Sequence, residues 1–316
     1  MQALTFQAIE TLQLEAIDDP ILEAPDDVVL EVEVAGVCGS DLHVYHGRET
    51  GLDVGTVMGH EYLGRVVAAG PAVRTLAVGD RVVGPFTTNC GDCFYCRRGL
   101  TCRCTKGQLF GWREGGQGLH GSQAEQMRVP LADSTLVRVD EDLRGECALF
   151  VGDILATGYY CAELAGIEPG EVVAVIGAGP VGLMAVLGAA ELEAGSVYVL
   201  DKVPERLALA ERFGAHAIDI RNEKPIEVLA AATDGRGADR VLEVVGSPQA
   251  TRAAVDLVRP GGAISAIGVH TEPTFAFAPG EAYDKNLSYR AGRCPARHYA
   301  ERLLEVVRRR SDELAT

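Results

Sequence analysis

The sequence predicts an α/β protein with a β-rich first half and a doubly wound parallel sheet in its second half. Its 316 residues suffice for two domains at roughly 100–200 residues each. Short apolar runs broken by frequent glycines fill the first half, and apolar runs alternate with helix-like segments from near Asp153 onward. Such alternation is typical of a parallel sheet covered by helices on both faces.

The strand predictions in the first half rest on period-two patterns. Apolar residues occupy every second position over residues 28–34, with Glu31 and Glu33 between them, which is the pattern of a half-buried strand. Shorter runs at 64–69 and 80–83 predict further strands. Residues 90–104 are too polar and too rich in cysteine for a core element, so they are interpreted as a separate lobe.

The second half predicts alternating strands and helices, followed by an amphipathic helix. Strands are predicted at 171–176, 196–201, 217–220, 240–245 and 262–269, and helices at 180–193, 204–213, 225–233, 248–258 and 296–310. The strand at 262–269 is the last one predicted, so it is expected at the sheet edge, where it could pair with a second copy of the chain. We therefore expect a homodimer or a homotetramer.

Charge and hydropathy exclude several classes of partner. The chain has 29 lysines and arginines against 45 aspartates and glutamates, a net charge of −16. Such a surface repels nucleic-acid phosphates and anionic lipid headgroups, so no nucleic-acid or membrane partner is expected. The first residues lack a basic start followed by an apolar run, and no uncharged apolar stretch reaches the length of about 18 residues that a membrane span needs. A cytoplasmic location is the default expectation.

Five of the nine cysteines lie between Cys90 and Cys104. Without an export signal, such clustering favours metal binding over disulfides. Four thiolates at this spacing fit a closed, structural zinc site. The predicted ligands are Cys90, Cys93, Cys96 and Cys104. Cys102 competes for the fourth place, and an iron–sulfur cluster is the alternative to zinc.

A glycine-rich segment at 177–182, Gly-Ala-Gly-Pro-Val-Gly, follows a predicted strand and opens a predicted helix. This context matches the dinucleotide-binding fingerprint, in which successive glycines permit a tight turn, approach of the pyrophosphate and close helix packing. The helix N-terminus also offers free N–H groups to phosphates. The predicted cofactor contacts are Gly177, Gly179, Pro180, Val181 and Gly182.

Asp201 is predicted to decide between the two nicotinamide cofactors. It ends the second strand of this unit, 19 positions after Gly182. A carboxylate there accepts hydrogen bonds from the ribose hydroxyls and repels a 2′-phosphate, so NAD is expected rather than NADP. Lys202 and Arg206 are also assigned to cofactor binding, and these two cations weaken the preference.

Two short segments of the first half carry metal-ligating and proton-transferring groups. The side chains are a thiol, a hydroxyl, two carboxylates and two imidazoles: Cys38, Ser40, Asp41, His43, His60 and Glu61. Cysteine, histidine and carboxylate are ligands of catalytic zinc, which keeps one position open for water or substrate.

With these motifs the sequence resembles the zinc-dependent medium-chain alcohol dehydrogenases over nearly its whole length. The resemblance rests on residues 36–43, 59–61, 152–158, 177–182 and the cysteine cluster. It implies a GroES-like catalytic domain at 1–152 and a Rossmann domain that binds NAD at 153–295. Residues 296–316 would begin a return to the catalytic domain.

The same resemblance implies roles for single residues. Cys38, His60 and Asp153 would hold a catalytic zinc, with Glu61 as an occasional ligand, so two zinc ions per chain are expected. Asp153 stands where other members carry cysteine, which is similar to the carboxylate-bearing branch with formaldehyde and secondary-alcohol dehydrogenases. A hydride would pass between a small alcohol or aldehyde and the nicotinamide.

Proton handling and orientation are also assigned by the resemblance. Ser40 would lie beside the substrate oxygen, His43 would relay a proton to solvent, and Asp41 would orient His60. Trp112, the only tryptophan, is either a wall of the substrate pocket or an ordinary packing residue.

Two alternative functions remain open in the sequence. The family leads us to expect a further helix, loop and strand beyond Thr316, so one alternative is a non-catalytic zinc- and nucleotide-binding relative. The other is a reductase of activated carbon–carbon double bonds. Relatives with that activity lack the zinc ligands, so Cys38, His60 and the cysteine lobe argue against it.

Overall fold

The computed structural model describes residues 1–270 and 274–315. They form two compact units. The first unit comprises Met1–Asp153 together with the segment from Pro295 onward, and the second unit is Ile154–Cys294.

The first unit consists mainly of antiparallel strands. Its described strands are β1 (Gln2–Ala8), β2 (Thr11–Ala16), β3 (Val28–Ala35), β4 (Tyr62–Ala69), β5 (Arg81–Gly84), β6 (Trp112–Glu114), β7 (Gln117–Leu119), β8 (Gln126–Val129) and β9 (Val137–Arg138). Its short helices are α1 (Gly39–Tyr45), α2 (Ala132–Thr135) and α3 (Gly145–Leu149). Five strands form a sheet in the order β8-β3-β4-β5-β9, and β1–β2 and β6–β7 form separate pairs.

The alternation in β3 determines which of its side chains enter the core. Leu30 lies opposite Val66 on β4 and Met127 on β8, and all three side chains belong to one buried apolar cluster. Glu31, the next residue, is exposed and lies opposite Arg65. This cluster fixes the sheet whose strand ends carry the first candidate site.

The second unit is a parallel sheet connected by helices. The described elements are α4 (Ile154–Ala165), β10 (Val172–Ile176), α5 (Pro180–Glu191), β11 (Ser196–Asp201), α6 (Pro204–Arg212), β12 (His216–Asp219), α7 (Pro225–Ala232), β13 (Ala238–Glu243), α8 (Pro248–Leu257), β14 (Val258–Ala266), α9 (Pro279–Lys285) and β15 (Ser288–Ala291). The strand order is β12-β11-β10-β13-β14-β15. The order reverses between β10 and β13, and ligands of open α/β sheets bind at the carboxyl ends of strands at such a reversal.

The prediction that the strand at 262–269 forms the sheet edge is wrong. That strand is β14, and β15 pairs with it in parallel, with Ala263 opposite Ser288 and Ala266 opposite Ala291. Strand β15 has only four residues, Ser-Tyr-Arg-Ala, and no apolar run. Hydrophobic patterning therefore gives no signal for it, and the edge on this side of the sheet belongs to β15.

Helix α10 (Ala296–Leu314) belongs to the first unit and is longer than the predicted 296–310. Its backbone departs from helical geometry at Arg310, where φ is −116° and ψ is 19°. Just beyond this kink, the Ser311 carbonyl oxygen lies 3.6 Å from the Cys147 Sγ of α3. The C-terminal end of the helix therefore packs against α3 of the first unit.

No single helix in the described part of the chain is long and apolar enough to cross a membrane. A bent pair, Gly145–Gly152 with Ile154–Ala165, meets that criterion by length and composition only.

Candidate active site

Cys38 sits at the N-cap of α1, and the carboxylate of Asp41 holds the start of this helix. The Cys38 N–H donates to Asp41 Oδ2 at 2.9 Å. Gln123 Nε2 donates to the same oxygen at 3.3 Å. A carboxylate in the first turn suits a helix N-terminus, where backbone N–H groups lack partners. Ser40 and His43 lie on the same helix, both half-buried.

Two other segments bring the remaining groups to Cys38. His60 and Glu61 directly precede β4, and Asp153 follows a short 3₁₀ turn, Phe150–Gly152. That turn lies against β5, since a Cβ on Gly152 would come within 2.4 Å of the Gly84 carbonyl oxygen. Glycine at 152 therefore permits the approach that places Asp153 beside His60.

Cys38, His60, Glu61 and Asp153 converge, each with one ligand atom within 4.8 Å of the other three. His60 Nε2 lies 3.1 Å from Asp153 Oδ2, and Cys38 Sγ lies 3.6 Å from that same oxygen. On the other side of the ring, His60 Nδ1 lies 3.4 Å from Asp41 Oδ1. Asp41 therefore fixes the ring so that Nε2 faces the centre of the group.

Burial and crowding perturb the acid–base properties of this group. Burial raises the pKa of the Cys38 thiol, and burial with the nearby Asp153 charge raises the pKa of Glu61 to about 7. Burial alone would lower the pKa of His60, but its hydrogen bonds to Asp153, Asp41 and Cys38 outweigh burial and raise it well above the ordinary value. The site therefore places several side chains that become anionic on ionisation around a single buried imidazole, that of His60.

A divalent metal ion fits this arrangement. Glu61 is 5% exposed, and its buried Oε1 has no hydrogen-bond partner among the described residues. A buried carboxylate oxygen without a partner is costly unless a cation or donor meets it. Thiolate, imidazole and carboxylate are the donors that zinc prefers, so the set present here matches that metal.

A second cluster of metal-ligating side chains lies in the lobe. Cys90, Cys93, Cys96 and Cys104 each place Sγ within 4.8 Å of the others. Backbone N–H groups point at the sulfurs: Cys90 N–H donates to Cys104 Sγ at 3.2 Å, and Cys93 N–H donates to Cys90 Sγ at 3.4 Å. Cys102 is not part of this group.

The thiols of the lobe differ in pKa. Hydrogen bonds from the backbone of Cys96 and Thr105 lower the pKa of Cys93 to about 5. Burial and the hydrogen bond from Cys93 raise the pKa of Cys96 to about 12. No cysteine among the described residues forms a disulfide, so no disulfide competes with metal binding in the lobe.

The glycine-rich loop joins β10 to α5 in the second unit, and its glycines have different surroundings. Gly177 has φ +100°, and a Cβ on Gly182 would come within 1.9 Å of the Gly177 carbonyl oxygen. A Cβ on Gly179 would meet nothing within 4 Å. The backbone at Gly179 is therefore open to a ligand, while Gly177 and Gly182 are required by the turn itself.

Asp201 ends β11 and holds the glycine loop. Its Oδ2 accepts from Ala178 N–H at 2.7 Å, and its Oδ1 accepts from Lys202 N–H at 2.7 Å and from Val203 N–H at 3.0 Å. A carboxylate has about four acceptor positions, so room remains for ribose hydroxyls. The side chains of Lys202 and Arg206 are exposed, and neither donates to Asp201 within the described ranges.

Three contacts that shape the first site were not predicted from the sequence. Gln123 Nε2 donates to Asp41 and also to the Gly36 carbonyl oxygen, at 3.2 Å. A Cβ on Gly36 would come within 2.1 Å of Glu61 Oε2. Phe86 packs edge-on against the His60 ring, with the centroids 6.4 Å apart. These residues are distant in sequence from their partners, so no local pattern links them.

The fold and the buried donor group are those of a two-domain dehydrogenase. Residues 24–141 match the alcohol dehydrogenase GroES-like domain, and residues 180–309 match the zinc-binding dehydrogenase family. The chain therefore belongs to the zinc-type alcohol dehydrogenase family, and it is an oxidoreductase. The predicted family and fold class are confirmed.

Similar proteins cover most of the chain. A medium chain reductase/dehydrogenase of an Acremonium species is 43% identical over 278 residues, which cover 85% of this chain and 94% of that protein. Zinc-type alcohol dehydrogenase B of Aspergillus flavus is 40% identical over 292 residues, which cover 90% and 67%. The solved alcohol dehydrogenase of Thermus sp. ATN1 has a TM-score of 0.92 and 40% identity, with coverage of 97% and 88%. These comparisons give no support to the non-catalytic alternative.

Proposed function

We propose that the protein is a zinc- and NAD-dependent oxidoreductase that interconverts small alcohols and aldehydes or ketones. The observation that carries the proposal is the buried group of Cys38, His60, Glu61 and Asp153, whose ligand atoms lie within 4.8 Å of one another. A structural role alone would not require a buried carboxylate oxygen without a partner at this point.

Cys38, His60 and Asp153 would hold the catalytic zinc, with Glu61 close enough to exchange with another ligand. Bound there, zinc supplies Lewis acidity toward an alcohol or carbonyl oxygen. Two anionic ligands and a neutral imidazole leave the site near charge balance. Asp153 in this set supports assignment to the carboxylate-bearing branch of the family.

The residues of α1 would orient the site and move the proton. Asp41 accepts from His60 Nδ1–H and so leaves Nε2 free for the metal. Ser40 Oγ lies 3.9 Å from Cys38 Sγ, where it would accept the hydroxyl proton of an alcohol while releasing its own proton toward His43. His43 is half-buried and lies three residues further along the helix, on the same face, so it can pass that proton to solvent.

The second unit would bind the nicotinamide cofactor, which accepts or donates the hydride. The open backbone at Gly179 and the free N–H groups at the start of α5 suit a pyrophosphate. The Asp201 carboxylate would accept from the adenosine ribose and disfavour a 2′-phosphate, so NAD is preferred over NADP.

The four-cysteine lobe would hold a second, structural zinc. Four sulfurs leave no open coordination position, so this ion stabilises the lobe and takes no part in the reaction. We also propose that the protein is a homo-oligomer, since β15 leaves one side of its backbone without a strand partner in the described chain. The molar mass in solution tests this point.

Metal analysis combined with activity tests the proposal. The purified protein should contain two zinc ions per chain, and a chelator should remove one with loss of NAD-dependent alcohol oxidation. Added zinc should restore the activity. Cys38→Ser should lose the removable ion, whereas Cys147→Ser, a buried cysteine of the same unit outside both groups, should keep both ions. A single tightly held zinc in the wild type would refute the catalytic site.

A further inference from the structure

A surface hairpin packs closely against the backbone next to His60. Strands β6 and β7 pair from Trp112 opposite Leu119 to Glu114 opposite Gln117. At the base of the hairpin, a Cβ on Gly111 would come within 2.8 Å of the Gly59 carbonyl oxygen, and one on Gly121 within 2.2 Å of the same atom. Both ends of the hairpin are therefore in close contact with the residue that precedes His60.

The tip of the same hairpin is held by one carboxylate, that of Asp53. Its Oδ1 accepts from Gly115 N–H at 3.0 Å, and its Oδ2 accepts from Gly116 N–H at 2.7 Å. The Asp53 N–H donates to the Arg113 carbonyl oxygen at 2.8 Å. Among the described residues, no cation forms an ion pair with Asp53, so its charge is directed at the two turn amides.

Two apolar side chains connect this contact to α1. Leu52, next to Asp53, and Trp112, at the start of the hairpin, both pack against the buried cluster of Phe6, Val44 and Met58. Val44 belongs to α1, and Met58 precedes Gly59. Movement of the hairpin would therefore change the support under both segments that carry the candidate site.

We infer that Asp53 is a positioning residue for the reaction: it fixes the hairpin, and through it Trp112 and the backbone before His60. The inference rests on the proposed function only for its effect on turnover. Hydrogen bonds to a carboxylate are stronger than those to a neutral acceptor, and small displacements of supporting residues reduce catalysis strongly.

The Asp53→Asn variant tests whether the hydrogen bonds of the Asp53 carboxylate, rather than the size of the side chain, hold the hairpin. An amide has the shape of the carboxylate, but its NH₂ group would face one of the two N–H donors, so one hydrogen bond is lost. Glu114→Gln is the matched control, since it removes one charge from the same hairpin at an exposed position. Trp112 is the only tryptophan, so intrinsic fluorescence reports the hairpin directly.

We expect Asp53→Asn to shift Trp112 emission to longer wavelength and to increase its quenching by acrylamide, with Glu114→Gln unchanged. In the wild type, the amides of Gly115 and Gly116 should exchange slowly although both residues are exposed. With an alcohol that the wild type oxidises, Asp53→Asn should raise KM and lower kcat. The factor by which KM rises should be about ten times the factor by which kcat falls.

Fast exchange of both glycine amides in the wild type would overturn the inference, as would a folded Asp53→Asn protein with wild-type quenching and KM. The exchange measurement needs no variant, so it holds even if Asp53→Asn fails to fold. If no alcohol is oxidised by the wild type while the exchange and fluorescence results are as expected, the hairpin contact stands and the proposed function fails instead.

Discussion

At the scale of single residues, two neighbouring side chains each bury a polar atom without a hydrogen-bond partner among the described residues, but for different reasons. Glu61 Oε1 and the Tyr62 hydroxyl are both buried without a hydrogen-bond partner among the described residues. Glu61 lies among thiol, imidazole and carboxylate groups, where a cation would satisfy it. Tyr62 lies in an apolar cluster, with Phe110 edge-on at 5.1 Å, so its hydroxyl has no comparable use.

Removal of the Tyr62 hydroxyl should therefore cost nothing. Because an unsatisfied buried hydroxyl carries a desolvation penalty of about 1–3 kcal/mol, Tyr62→Phe should leave the free energy of unfolding unchanged or increase it. Thr5→Val is the control, since the buried Thr5 hydroxyl donates to Glu15 Oε1 at 2.7 Å and its loss should destabilise the protein. Urea titration measures both. A clear loss of stability in Tyr62→Phe would show that its hydroxyl has a partner.

Asp201→Asn should relax the choice of cofactor. The amide keeps one acceptor for the glycine loop but removes the charge that repels a 2′-phosphate, so the ratio of kcat/KM for NADP to that for NAD should rise about tenfold or more. Glu205→Gln removes an exposed charge from the next helix and should leave the ratio unchanged. An unchanged ratio in Asp201→Asn would mean that this carboxylate does not read the ribose.

At the scale of elements, the glycine loop offers a matched pair of substitutions. Gly182→Ala should destabilise the second unit, because the new methyl group would lie within 1.9 Å of the Gly177 carbonyl oxygen. Gly179→Ala should fold normally, because nothing lies within 4 Å of its added carbon, but should bind NAD less tightly. Thermal unfolding and cofactor titration distinguish the two. Equal stability of both variants would contradict this division of roles.

The lobe allows a similar comparison between two cysteines. Cys104→Ser should lose the structural zinc, because Cys104 Sγ lies in the four-sulfur group and Cys102 Sγ does not. Cys102→Ser should keep two zinc ions per chain. Elemental analysis of both variants after gel filtration gives the answer, and the opposite result would identify Cys102 as the fourth ligand.

A comparison of predicted and observed elements shows which of them local sequence patterns can predict. The strand predicted at 196–201 matches β11, and the helix predicted at 180–193 ends two residues early, at Glu191. Both have long apolar runs and clear end signals. Strand β15 has neither, and its placement depends on Ala263 and its neighbours in β14. Sequence reasoning succeeds where the signal is local and fails where tertiary pairing supplies it.

The same limit applies to the sites. Cys38, His60 and Glu61 attract notice because their residue types suit zinc and lie in short motifs. Asp153 is 93 positions from His60, and only family resemblance pointed to it. Asp53 could not be found at all, since its partners are backbone amides and any residue type supplies those.

At the scale of the whole molecule, the net charge of −16 should make stability depend on ionic strength. Like charges repel in the compact state and salt screens them. Raising sodium chloride from low concentration to about 0.15 M should therefore raise Tm. A gain of about 1 kcal/mol corresponds to about 2–4 °C for a domain of this class. Potassium chloride should act equally, because screening does not depend on ion identity. A fall in Tm with salt would show that favourable ion pairs outweigh the repulsion.

The order of the chain has a consequence for biosynthesis. The first unit is built from Met1–Asp153 and the segment from Pro295 onward, whereas the second is one continuous stretch. On the ribosome, all residues of the second unit emerge before α10 does, and domains fold as their residues become available. The surface of α3 that contacts Ser311 therefore stays exposed while the whole second unit is translated. Chaperone contact with the nascent chain should be concentrated on that exposed surface of α3.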